Sequence, residues 1–101
     1  MHARITTLDL EPERLDEAVA QLEEEDLPTF RSIDGFRGFT LMLDRKRGRV
    51  VATSYWATQD HMQASEDAMQ PPRARMAETG NATAEPEVER FEVALDSFVK
   101  Q

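Results

Sequence analysis

The chain has 101 residues, 12 Lys and Arg against 20 Asp and Glu, a formal net charge of −8 and no cysteine, which fits a single domain over residues 1–101 with one modest core. The acidic balance argues against a nucleic-acid partner, which needs basic patches to release counterions, and the missing thiols exclude disulfides, thiolate nucleophiles and the common structural zinc sites. No apolar run nears the ~20 residues of a membrane span and no signal-peptide core follows the N-terminal charges, so the expectation is a cytoplasmic protein without a membrane partner.

His2 to Leu10 reads as a first strand, rich in β-branched residues and ended by Asp9 to Pro12. Pro12 suits the start of a helix, where its missing N–H costs nothing, and Glu11, Glu13, Asp16 and Glu17 suit the positive end of the helix dipole. Leu15, Ala18, Val19 and Leu22 fall at i, i+3, i+4 and i+7, the narrow apolar stripe of a helix lying on a sheet. The acid between Glu11 and Asp26 is then a solvated face. Pro28 is expected to stop or break this helix, leaving Leu27 to Asp34 irregular or as a single turn.

Gly35 to Trp56 carries the strongest pattern in the chain. Two runs of β-branched, aromatic and long apolar residues flank the polar corner Asp44 to Arg49, which predicts an antiparallel hairpin. Phe39, Leu41 and Leu43 face one way, Gly38, Thr40 and Met42 the other, and neither set is clearly polar, so both faces need cover. The basic corner Arg45, Lys46, Arg47 and Arg49 reads as a solubilising turn, with a docking patch for an acidic partner as the other reading.

Thr58 is the expected N-cap of a second helix, whose apolar face is Met62, Ala64, Ser65, Ala68 and Met69. Pro71 and Pro72 are expected to interrupt it, with Pro72 to Glu78 forming a separate turn or two ended by Gly80 and Asn81. Glu87 to Leu95 reads as strand four, with Phe91, Val93 and Leu95 on one face, and the tail Asp96 to Gln101 as a frayed or edge segment.

The order β-α-β-β-α-β predicts an α+β, ferredoxin-like fold: a four-stranded antiparallel sheet with both helices on one face. The helix-free face would leave apolar side chains in water over more than the ~400 Å² a soluble monomer tolerates. A second copy packed sheet to sheet removes that patch, so a twofold homodimer is expected.

Gly35 to Trp56, followed by Ala57 to Glu66 and by Val88 to Val93, resembles the core of antibiotic biosynthesis monooxygenase-like domains of the dimeric α+β barrel superfamily. The resemblance implies a homodimer that binds a small aromatic or polyketide-type ligand. It implies further a cofactor-independent monooxygenase, the other reading being a non-catalytic ligand-binding or interaction module. In monooxygenases of the family the matching Trp borders the substrate pocket, which makes Trp56 a candidate. Tyr55 points to the opposite sheet face, and the plain reading of the pair is one core and one interface aromatic.

His61, in the first turn of the second helix, is the candidate proton acceptor, or else an exposed side chain. Thr7, Arg37 and Thr40 are candidate hydrogen-bond donors, with Met62 and Met69 as adaptable walls or ordinary core. Haem degraders of the superfamily need an axial His on the following helix and an Asn on the first strand. Ser65 and Glu66, and Thr6 and Thr7, stand in those places, so neither haem nor any other cofactor is expected. Two histidines far apart give no metal-ligand spacing, and no metal site is expected.

Overall fold

A computed structural model describes residues 1–98. Its strands are β1 (His2–Asp9), β2 (Phe36–Asp44), β3 (Arg49–Trp56) and β4 (Glu87–Glu92), in the antiparallel order β2-β3-β1-β4. This is the ferredoxin-like α+β arrangement. Register follows from the two-residue alternation: Arg4 pairs with Ser54, Thr6 with Ala52, Leu8 with Val50, and Phe39 stands opposite Ser54. All of these face the helices. Ala3, Ile5, Thr53, Tyr55, Met42 and Phe91 face the other way.

A short turn, Pro12–Arg14, leads into α1 (Leu15–Gln21), and a π-helical turn, Leu22–Asp26, joins it to α2 (Leu27–Ser32). The chain stays helical through Pro28, contrary to the expected break: the π-helical turn runs directly into α2, and Pro28 stands at the start of α2. The wider turn also rotates Leu22 and Phe30 into the core while Asp26, buried, pairs with Arg75.

The second helical region corrects the sequence reading too. Its break falls at Ser65, between α3 (Gln59–Ala64) and α4 (Glu66–Thr79), and α4 runs straight through Pro71 and Pro72. Met69, Pro72 and Met76, at i, i+3 and i+7, are buried against the sheet, and that burial outweighs two lost backbone bonds. Thr58 caps α3 as expected, its hydroxyl accepting from the His61 N–H.

Leu8, Leu15, Phe30, Val50, Trp56 and Met62 form the centre of the core. Gly48 closes the hairpin at φ 72°, and a β-carbon there would meet the Leu10 carbonyl oxygen at 2.0 Å. Beyond β4, Val93 to Phe98 turns along the helix-free face, where Phe98 stands edge-on to Tyr55 with ring centres 5.5 Å apart. The expectation for the tail's last residues, 99–101, lies outside the described residues. No described helix is long and apolar enough to cross a membrane.

Candidate functional site

A small cleft of about 40 Å³, open to solvent on one side, lies between the sheet and the helices. The sheet supplies its floor through Thr6, Leu8, Phe39, Ala52 and Ser54. Leu22 and Phe30 wall one side, a placement set by the π-helical turn, and Met69, Pro72, Arg73 and Met76 of α4 wall the other. Small side chains at Ala52 and Ser54 leave the space that larger ones would fill. The lining is therefore apolar with three polar exceptions, Thr6, Ser54 and Arg73, the composition of a small-molecule pocket.

Ser54 belongs to a buried network. Trp56, fully buried, donates its indole N–H to Ser54 Oγ at 2.9 Å and packs edge-on against Phe36. Arg4 stands 5.9 Å from the Trp56 ring centre and donates to the Met62 carbonyl at 2.5 Å and to Ser65 Oγ at 3.1 Å. Glu66 lies 3.4 Å from Arg4 Nε and also pairs with Arg90. Burial pushes the Arg4 and Arg73 guanidinium groups below the usual arginine value, with Glu66 opposing the shift in both. Burial would raise the Glu66 carboxyl, but the Arg90 hydrogen bond and the charges of Arg4, Arg90 and Arg73 outweigh it and hold the group below its ordinary value.

The residues nominated from sequence do not converge on one place. Met69 lines the cleft and Trp56 reaches it only through Ser54. Tyr55, Thr7 and Thr40 stand on the helix-free face, one residue out of phase with the floor, so the cleft contains Thr6 where the sequence suggested Thr7. Arg37 is exposed at the β-bulge near the start of β2. Met62 is core, its carbonyl bound by Arg4.

His61 sits at the start of α3, outside the cleft lining. Its Nδ1 is 2.8 Å from Thr58 Oγ1 and its Nε2 is 3.3 Å from Asp34. Its ring covers Gly35, which holds φ +81°, and a β-carbon at Gly35 would meet the ring at 2.2 Å. Arg73 and Ser54 went unnoticed in the sequence, since only the path of α4 through two prolines and the register against β1 bring them together.

Among the described residues no group of three or more His, Asp or Glu side chains is placed to hold a metal ion. Ser65, which the sequence reading set against a haem degrader's axial His, is buried with its hydroxyl donating to the Met62 carbonyl and accepting from Arg4.

Known proteins with this architecture include a monooxygenase from the ActVA-Orf6 gene of Streptomyces coelicolor, solved with nanaomycin D, which matches at TM-score 0.74 and 14% identity over 98% of this chain and 92% of its own. The heme-degrader MhuD of Mycobacterium tuberculosis, solved with two hemes in its active site, matches at TM-score 0.72 and 22% identity over 97% of this chain and 100% of its own. SnoaB, a cofactor-independent oxygenase from Streptomyces nogalater, gives TM-score 0.63 and 18% identity over 94% of each chain. At these identities the likeness is one of fold.

In sequence, an uncharacterized protein of Mycobacterium tuberculosis is 37% identical over 94 residues, covering 93% of this chain and 41% of that protein. The chain thus spans about two fifths of the length of that relative. The antibiotic biosynthesis monooxygenase family matches residues 1–71, through both halves of the hairpin and into α4, and the chain belongs to that family.

Proposed function

We propose that this domain binds a small aromatic or polyketide-type compound in the cleft between sheet and helices and oxidises it with molecular oxygen, without a cofactor, as a twofold homodimer. The observation that carries the reading is the cleft itself: an apolar slot with three polar groups, in a family whose fold neighbours include oxygenases. The chemistry asks little of the protein. A phenolate gives electrons to oxygen directly; one oxygen atom enters the ring, the other leaves as water, and the phenol becomes a quinone. The site need only hold the ring dry and stabilise its negative charge.

The second copy would cover the helix-free face, where Met42, Phe91, Leu95 and Phe98 are exposed apolar side chains. One observation favours the non-catalytic alternative: among the described residues no carboxylate or imidazole lines the cleft, so a substrate would have to arrive as, or become, an anion without a protein base.

Oxygen uptake with a panel of phenols and dihydroxyanthracenes tests the reading, alongside a light-scattering mass. The expected mass is twice the 11.5 kDa of one chain. Uptake above the protein-free rate is expected for wild type and His61→Ala, and its loss for Ala52→Phe, which fills the floor of the cleft. Uptake at background for every compound would leave ligand binding without catalysis, and an 11.5 kDa particle would remove the dimer.

A further inference from the structure

We infer that the cleft selects a planar aromatic anion, a carboxylate or phenolate, by pairing its charged oxygen with Arg73 and the Ser54 hydroxyl. The inference rests on the cleft being the ligand site and names the class of ligand it takes.

Three observations carry it. Arg73 lines the cleft and makes no hydrogen bond or ion pair among the described residues, although its surroundings are partly desolvated. A guanidinium in that position gains most from a carboxylate or phenolate oxygen, which it can grip with two parallel N–H groups. The second is Ser54, 3% exposed, whose oxygen already accepts the Trp56 proton while its own O–H donates to no acceptor among the described residues. With one lone pair taken by the indole, the Ser54 O–H remains available to donate.

Third, the charge beside the cleft is unbalanced: Arg4, Arg73 and Arg90 interact with the single carboxylate Glu66. Buried Arg4 Nη1 has no acceptor among the described residues. A local excess of positive charge inside a chain of net charge −8 favours an anion at this cleft. Apart from Thr6 the remaining lining is apolar, which suits a ring better than a small inorganic anion.

Calorimetric titration of the intact domain with 1-naphthoate and its neutral isostere 1-naphthamide tests the pairing. Wild type is expected to bind the acid about tenfold or more tightly than the amide, as a charge-assisted bidentate contact implies. Arg73→Gln is expected to bring the two within about twofold by weakening the acid alone, and Arg73→Lys to keep part of the preference. Equal affinities in wild type, or an Arg73→Gln variant that keeps the preference, would overturn the anion inference while leaving the cleft as a ligand site. If neither compound binds wild type, or if Ala52→Trp leaves binding of both unchanged, the cleft reading and the inference fall together.

Discussion

Trp56 shows how a residue can matter to a site it does not touch. Its ring is fully buried between Phe36 and Arg4, and its one N–H, given to Ser54, leaves the serine proton free for the cleft. Glu66 plays the matching part among the charges, standing between Arg4 and Arg90 and holding its carboxyl below the ordinary value of 4.5. A depressed carboxylate stabilises the fold above the unfolded-state value, and that contribution fades as pH falls through the folded value. Wild type should therefore exceed Glu66→Gln in stability at pH 7, with the gap closing below about pH 4. Urea unfolding of both proteins across that range checks it, and a gap that does not change with pH would show that Glu66 is not held ionised by its arginines.

Among elements, the strands were the most legible and the helices the least. Alternation in Gly35 to Trp56 specifies both faces of the hairpin, but not the phase of β1, whose Arg4, Thr6 and Leu8 align with Ser54, Ala52 and Val50. Prolines misled because their rule is local. At Pro28 the chain was entering a helical turn, and at Pro72 the ring is buried in the wall of the cleft beside Met69 and Met76. Pro71, exposed in the same helix, has no such return. Pro71→Ala should restore a helical bond and raise stability by about 1–2 kcal/mol, while Pro72→Ala, which empties part of the wall, should gain nothing. Thermal unfolding separates the two, and equal gains would mean that the Pro72 ring contributes no packing.

At the scale of the whole molecule, the helices cover one side of a four-stranded sheet and create the cleft there, while the other side presents Met42 and Phe91 in the open. Fold and family were legible because the order of elements and the spacing around Trp56 are carried by consecutive residues. The cleft was not, because its polar groups come from β1, β3 and α4, and a phase error of one residue on β1 exchanges Thr6 for Thr7. The two faces make opposite predictions for where a ligand should go. Backbone amide chemical shifts of the labelled protein, followed during titration with 1-naphthoate, decide between them. The expected result is a set of perturbations centred on Thr6, Ala52, Ser54 and Arg73; perturbations centred on Ile5, Thr53 and Phe91, with the cleft silent, would contradict the assignment of the cleft as the site.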